Sequence, residues 1–546
     1  MQSAAHLTDE SLDRVNFLRS PLVYPDHPLD VQVVETHISW VFLTDRHAYK
    51  LKKPIAFDFL DYSTVERRHE ACLEELRLNR RLAPDIYQSV MPITLDRQGR
   101  RRIGGMGRID DWLVRMRRLP AECDLDRILE VRELTSREIH SLADKLFRFY
   151  ATLPPLPVKA QEFRRGIERH VRENWETLAQ YASPDSLELV DRVHAAQCRL
   201  LALYPHWWDE RVCDGRVVEG HGDLRCDHVY FAPRPIVIDA LEFNVDLRTV
   251  DVLDELSFLA MECECLHGSS AGRQVRERYC DAAGDHPPRA LLEFYEAYRG
   301  CVRAKVGTLR AAQQSASDAD KSLQRASQLL AWSDERIASA TPPLVVVVRG
   351  RSGVGKSRLA EMLANALGAK ILSTDGIRHE QQAEKSPATR EAFGEGRYTP
   401  ANRQAVYDSL IQRAPAALES RRTLIIDGVF PQREQRRRLR ERVEAMGAIW
   451  VLFDCHCPAA IARQRIEERA AAGHGLSEIA PEMLELQARE DEPLTTSEQG
   501  VSLDTHQSFD HLVDQALLAI RSACEAAERR PQVIPHENQS SAADVE

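Results

Sequence analysis

LVVVVRGRSGVGKSRLAEMLANAL, residues 344–367, decides the fold of the C-terminal third of this chain. The run Leu344 to Val348 is wholly apolar and mostly β-branched, so it predicts a buried strand. Gly350-x₄-Gly355-Lys356-Ser357 follows at once, and a helical pattern follows that. Strand, glycine-rich loop and helix in this order form a phosphate-binding loop. Gly350, Ser352, Gly353 and Gly355 let backbone N–H groups curl around a phosphate, and the helix N-terminus adds its dipole. Lys356 is expected to reach the β- and γ-phosphates of a nucleotide, and Ser357 to ligate Mg²⁺.

Outward from this loop the pattern stays regular. Upstream, Ala340-Thr341-Pro342-Pro343 stops a helix and marks a domain junction. Downstream, AKILS (369–373), TLIIDG (423–428) and AIWVLFD (448–454) predict strands alternating with helices, hence an α/β domain with a mostly parallel sheet. Carboxyl ends of such strands face the ligand crevice. Asp375 stands at the end of the second strand, as a base for an acceptor hydroxyl or as a cap of the next helix, with Arg378 to steady a phosphate oxygen. Asp427 ends the third strand and is expected to hold Mg²⁺ through water. Arg463, Arg465 and Arg469 fall on one expected helix. Arg465 and Arg469 share a face, which forms either a cationic lid over the transferring phosphoryl group or a solvated basic surface.

On these residues, the segment from about 343 to 525 resembles the small P-loop kinases of metabolites and antibiotics: gluconate kinase, chloramphenicol phosphotransferase and the zeta-toxin group.

The N-terminal part carries a second constellation. HISWVFLTDRHAYKLKK (37–53) predicts two strands joined at Thr44-Asp45-Arg46, and Ser63 to Leu82 predicts a helix. Residues 131–212 and 252–335 are mostly helical in pattern, with strand-like runs between Val217 and Ile238. That middle stretch holds His221-Gly222-Asp223-Leu224 and Val237-Ile238-Asp239. It resembles the catalytic loop and metal-binding acid of aminoglycoside phosphotransferases and related kinase-like folds. The resemblance implies that Asp223 orients a substrate hydroxyl and that Asp239 ligates Mg²⁺. It also implies a strand lysine, Lys50, paired with a helix acid, Glu74 or Glu75. Lys52 lies on the same strand face, so the choice of lysine stays open. The family usually has Asn five residues after the catalytic Asp, as a second metal ligand; here that position is His228. Imidazole is a poorer Mg²⁺ ligand than oxygen.

Together with YKLKKPIAFDFLDYSTVERRHEACLEELRLNRRLAP and IDALEFNVDLRTVDVLDELSFLAME, these motifs make the whole chain similar to a bacterial two-domain arrangement. In it an aminoglycoside-phosphotransferase-like domain is fused to a P-loop kinase-like ATPase. The expected organisation is a kinase-like α+β bilobal domain, with an N-lobe over 1–120 and a helical C-lobe over 121–335. A linker at 336–343, a P-loop domain over 344–526 and a disordered tail over 527–546 follow. Expected cofactors are ATP or GTP with Mg²⁺, and the expected partner is a small-molecule acceptor.

The formal net charge of −11 argues against a non-specific nucleic-acid binder. No apolar run approaches the ~20 residues of a membrane helix, and Met1 to Arg14 shows no secretory pattern, so a cytoplasmic protein is expected. Neither Cys263/Cys265/His267 nor Cys455/His456/Cys457 has the paired spacing of a zinc site. The basic run Arg436-Arg437-Arg438 is expected on a solvated helix face. Two functions follow: a bifunctional small-molecule kinase, or a regulatory ATPase or GTPase whose N-terminal domain binds ligand as a pseudokinase.

Overall fold

Thr44 closes the first informative turn. Its hydroxyl donates to the His47 carbonyl at 3.0 Å and accepts the His47 N–H at 3.1 Å, joining strands Ser39–Leu43 and His47–Lys52. The computed structural model describes residues 9–57, 60–312, 314, 316–383, 399–472 and 483–529. Its contacts divide the chain into two units. One comprises residues up to Ile167 with His206–Arg336; the other comprises Glu168–Pro205 with the chain from Ile337 onward.

In the first unit a six-stranded antiparallel sheet runs in the order Gln32–Glu35, Ser39–Leu43, His47–Lys52, Arg108–Arg117, Tyr87–Leu95, Arg101–Ile103. Lys50 pairs with Val41 and Lys52 with Ser39, so both lysines point to one face. Helix Val65–Arg80 covers strands Tyr87–Leu95 and Arg108–Arg117. The Thr64 hydroxyl caps it by accepting the Arg67 N–H, and buried Arg68 ties it to the sheet through two 2.8 Å bonds to Asp111. The rest of the unit is mainly helical. Two short ribbons, Val217–Glu219 with Thr249–Asp251 and Val229–Phe231 with Pro235–Val237, frame the segment from His221 to Asp239.

In the second unit a five-stranded parallel sheet has the order Lys370–Ser373, Thr423–Asp427, Leu344–Arg349, Ile449–His456, Val501–Asp504. The central strand is the valine run, buried at every position. Alternation sorts its side chains: Val345 and Val347 join Leu424, Ile426, Leu410, Leu439 and Leu452 in one core. Val501–Asp504 is a fifth strand beyond the four expected. It is a short edge strand with Val501 exposed, so it lacks the apolar run that marks a buried strand.

Three expectations need correction. Residues 168–205 were expected in the kinase-like C-lobe, yet helix Pro184–Leu203 packs on the second unit's helices Lys356–Leu367, Pro400–Arg421 and Phe509–Glu528. Gly368, just past the P-loop helix, sits so close to it that a Cβ there would lie 2.7 Å from Ala195 Cα. Arg199 on the same helix is buried and donates to the Pro342 carbonyl at 2.5 Å. The basic run is not wholly solvated either. Arg436 is buried and holds Glu498 at 2.5 Å and the Phe430 carbonyl at 2.8 Å, while Arg437 stays exposed. Finally, helix Phe509–Glu528 runs past the expected start of the tail at 527; residues 530–546 lie outside the described residues. Among the described residues no helix is long and apolar enough to cross a membrane.

Candidate functional site

The second unit's site is built from the ends of parallel strands. Strand Leu344–Arg349 delivers the loop, and helix Lys356–Leu367 begins at Lys356. The loop's course depends on its glycines. Gly350 has φ +141° with the Cys455 carbonyl where a Cβ would point, and Gly355 has φ +101° with Phe509 3.0 Å from that position. Lys356 Nζ donates to the Arg351 carbonyl at 3.2 Å, curled over the loop. The Ser357 hydroxyl donates to Asp427 Oδ2 at 2.6 Å. Asp427 Oδ1 is buried with no hydrogen-bond partner among the described residues. Burial pushes the Asp427 carboxyl above its ordinary value, opposed by Lys356 and the Ser357 hydroxyl, while Asp375 adds to the rise. A buried carboxylate with one open oxygen, beside a hydroxyl and a lysine, fits a hydrated divalent cation at a nucleotide phosphate.

Asp375 lies beside this group because Ser373, two residues before it, pairs in register with Asp427. Its carboxylate is hydrogen-bonded by Arg378 within helix Thr374–Ala383. Arg465 meets the phosphate loop itself: its guanidinium donates to the Val354 carbonyl at 3.0 Å and the Thr505 carbonyl at 2.9 Å, bracing the loop. Arg469 is exposed and donates back to the Arg465 carbonyl at 3.3 Å; Arg463 is exposed too. A second brace comes from Gln487. It accepts the Ser352 N–H at 3.0 Å through Oε1 and donates to the Ser352 hydroxyl at 3.0 Å through Nε2.

In the first unit the structure brings together Lys50, Glu75, Asp223, His228 and Asp239. Lys50 Nζ lies 2.6 Å from Asp239 Oδ1 and 3.0 Å from Glu75 Oε1. Lys52 Nζ meets Glu75 Oε2 at 2.7 Å and Glu242, whose Oε1 also accepts the Tyr62 hydroxyl. Of the two lysines, Lys50 is the one that reaches Asp239. Glu75 faces both lysines, whereas Glu74 turns to Arg77 at 2.7 Å and Arg248 at 2.6 Å. Burial works against the Lys50 charge, but Asp239 and Glu75 outweigh it and hold its pKa well above the ordinary value. Burial also opposes ionisation of Asp239, yet Lys50 and His228 keep its carboxyl below the usual range. Asp223 is likewise kept low, against burial, by Arg225 and His228.

The loop around Asp223 is held by backbone. His221 Nε2 donates to the Ile238 carbonyl at 2.8 Å, and its Nδ1 accepts the Asp223 N–H at 3.3 Å. Burial lowers the His221 pKa, in keeping with that neutral tautomer. Asp239 has φ +62°, a conformation costing ~1–3 kcal/mol, and its N–H donates to the Tyr87 hydroxyl at 3.1 Å. The neighbouring Ala240 N–H donates to Asn79 Oδ1 at 2.8 Å.

Sequence reasoning missed Glu255. It is fully buried, accepts the N–H groups of His221 (3.0 Å) and Gly222, and accepts the Tyr150 hydroxyl at 2.7 Å. The available signal was compositional: helix Val252–His267 buries Asp254, Glu255 and Glu262 among apolar residues, and buried acids have partners. Gln487 carried no signal beyond its helical position. Neither cysteine cluster gathers around a point: Cys263 Sγ lies 3.5 Å from Cys226 Sγ, and His267 turns to Asp126 at 2.7 Å. Among the described residues no group of three or more His, Cys, Asp or Glu is arranged to hold a metal ion by itself.

Residues 345–494 match the family described as an AAA domain, which implies nucleotide binding there. Among solved structures the chain is similar to a gluconokinase from Sinorhizobium meliloti 1021. That match has 22% identity, 34% of this chain and 97% of that one covered, and a TM-score of 0.26. It is also similar to aminoglycoside 2'-phosphotransferase-IIIa in its GDP complex, with 15% identity, 60% and 99% covered, and a TM-score of 0.35. Uncharacterized protein Rv2004c of Mycobacterium tuberculosis (strain ATCC 25618 / H37Rv) is 30% identical over 507 residues, 91% of this chain and 97% of that protein. The chain therefore belongs to the family of that mycobacterial protein, with an α+β fold built on an antiparallel sheet in its N-terminal part and a parallel-sheet P-loop domain in its C-terminal part.

Proposed function

We propose that the chain is a nucleotide-dependent phosphotransferase, with an ATP:small-molecule hydroxyl kinase site in the P-loop unit and a second, aminoglycoside-phosphotransferase-like site in the first unit. The observation that carries the reading is the meeting of Lys356, Ser357, Asp427 and Asp375 at adjacent strand ends. A loop that merely switches on hydrolysis needs the first three; the acid beside them serves an acceptor.

In this reading the backbone of Gly350 to Ser357 and the Lys356 ammonium hold the β- and γ-phosphates. Asp427 and Ser357 would hold Mg²⁺, which supplies charge neutralisation on the transferring group. Asp375 accepts the proton of the acceptor hydroxyl as its oxygen bonds to the γ-phosphorus and the bond to the β-phosphate oxygen breaks, releasing the nucleoside diphosphate. Arg378 holds the Asp375 carboxylate in place. In the first unit Asp223 takes the corresponding role, Lys50 with Glu75 positions phosphates, and Asp239 would hold the cation.

One observation favours the second reading, a regulatory ATPase with a pseudokinase-like first unit: His228 stands where related kinases have an oxygen ligand. The test is mass spectrometry of a metabolite pool incubated with the full chain, ATP and Mg²⁺, compared with Lys356→Ala and Asp223→Asn chains. A species that gains a phosphate, and loses it in one variant, supports the kinase reading and names its unit. Nucleotide hydrolysis without any phosphorylated acceptor supports the regulatory reading. Lys356→Ala is expected to weaken nucleotide binding in the P-loop unit by ~2–5 kcal/mol, the usual effect of deleting one member of a buried charge pair.

A further inference from the structure

The short turn Cys226–His228 places the His228 ring at the rim between Asp223 and Asp239, with the ring largely buried. Its backbone is pinned there, because the His228 carbonyl accepts the Ile238 N–H at 3.0 Å, one residue before Asp239. Its two nitrogens are not equivalent. Nδ1 lies 2.8 Å from the backbone carbonyl of Asp223. A carbonyl only accepts, so Nδ1 carries the hydrogen, and in the neutral ring Nε2 is a bare lone pair.

That lone pair faces anions. Asp239 Oδ2 is 3.6 Å from Nε2 and Asp227 Oδ1 is 3.9 Å away, both too far for a direct hydrogen bond. The other oxygens of these acids are committed, Asp239 Oδ1 to Lys50 and Asp227 Oδ2 to Arg225. Asp227 Oδ1 is buried and has no hydrogen-bond partner among the described residues. The imidazole lone pair thus has one oxygen of each acid near it, and Asp239 Oδ2 is the nearer of the two. The 3.6 Å spacing is near the ~3.4 Å that separates two ligands of one tetrahedral ion with bonds of ~2.1 Å, and wider than the ~3.0 Å between neighbouring ligands of an octahedral one.

We propose that the first unit binds its nucleotide with a nitrogen-accepting first-row transition ion, ligated by His228 Nε2 and Asp239 Oδ2, in preference to Mg²⁺. This rests on reading the first unit as a nucleotide site, because two protein ligands leave the other positions to phosphate oxygens and water. Mg²⁺ favours an all-oxygen shell, whereas imidazole suits the later divalent metals. The Asp223 carbonyl sets the tautomer that turns Nε2 toward the ion, so the loop carrying the acceptor base also orients the metal ligand.

The experiment uses the full chain carrying Lys356→Ala, which silences the P-loop site, with Mn²⁺ and ATP as probes. Electron spin-echo spectroscopy of bound Mn²⁺ is expected to show ¹⁴N coupling from imidazole. The coupling should change to the ¹⁵N pattern when the protein is made with ¹⁵N-histidine, a result that needs no change at His228. His228→Asn should abolish it and shift the Mn²⁺:Mg²⁺ preference at least tenfold toward Mg²⁺. Mn²⁺·ATP bound without histidine nitrogen coupling overturns the ligand assignment while leaving the nucleotide site standing. An unchanged metal preference in a folded His228→Asn chain does the same. No Mn²⁺·ATP binding by the Lys356→Ala chain, where the unmodified chain binds, removes the nucleotide reading of the first unit and this inference with it.

Discussion

Gly368→Ala should destabilise the second unit by more than a helix-end glycine ordinarily does, and the size follows from two terms. Gly368 ends the P-loop helix at φ +61°, and alanine in that left-handed conformation costs ~1 kcal/mol. The added Cβ would then meet Ala195 Cα at 2.7 Å and Ala195 Cβ at 3.2 Å. A Cα cannot swing aside as a side-chain tip can, so the two helices must part, at ~1–3 kcal/mol for overpacking. The sum is ~2–4 kcal/mol. Gly447→Ala in the same unit supplies the control, since Gly447 has φ +73° with nothing within 4 Å, and only the ~1 kcal/mol conformational term applies. Hydrogen exchange read by peptide mass spectrometry on the full chain resolves the effect locally. Opening free energies in helices Lys356–Leu367 and Pro184–Leu203 should fall together in Gly368→Ala and stay near those of the unmodified chain in Gly447→Ala. Equal costs for the two substitutions, or a loss confined to Lys356–Leu367, would refute the packing of the Pro184–Leu203 helix against the P-loop helix.

Three further outcomes are expected. Glu255→Gln turns an amide N–H₂ toward the N–H groups of His221 and Gly222, costing the first unit ~2–4 kcal/mol in thermal unfolding while nucleotide affinity at the P-loop is unchanged. Asp375→Asn lowers the acceptor phosphorylation rate ~10²–10⁴-fold with little change in nucleotide affinity by calorimetry; matched losses in both would place Asp375 in structure instead. Burial opposes ionisation of Glu498, but the hydrogen bonds from Arg436 and the Thr495 backbone outweigh it and hold the carboxyl at about 2, below its ordinary 4.5. Its ionised form therefore contributes stability in full above the unfolded pKa, ~1 kcal/mol once solvent screening of this partly exposed pair is allowed for, and loses it as pH falls from 4.5 toward 2. Urea unfolding of Glu498→Gln should differ from the unmodified chain at pH 7 and converge with it near pH 2; a gap independent of pH would contradict the charge pairing.

What sequence pattern reveals here is what is local. The P-loop, its strand and its helix lie within residues 344–367, and each step has its own residue chemistry, so position and geometry were readable together. The first unit's site was readable as separate motifs. The choice between Lys50 and Lys52 was not, since strand alternation gives both the same face, and the decision lies with Asp239, 189 residues away from Lys50. Arg465 shows the other limit. Helical spacing assigns it a face but does not say what the face meets, and in the structure it meets the Val354 carbonyl of the phosphate loop. Glu255 and Gln487 act through backbone N–H groups far along the chain, which leave no pattern at either end. The helix Pro184–Leu203 was readable as a helix, but amphipathic periodicity does not say whose core it completes.

That last helix has a consequence during synthesis. Residues 168–205 leave the ribosome about 140 residues before Leu344 does, roughly 7–28 s at ordinary elongation rates. For that interval the nascent chain carries Val190, Val193, Leu200 and Leu201, all buried in the finished protein, with the sheet of their unit not yet made. The buried Arg199 has by then neither the Pro342 carbonyl nor Cys524 to bind. The first unit has to complete itself from the segments on either side of this unfinished insert. Growing chains stalled between residues 206 and 340 should accordingly bind holdase chaperones through residues 168–205 and release them once the P-loop sheet has emerged.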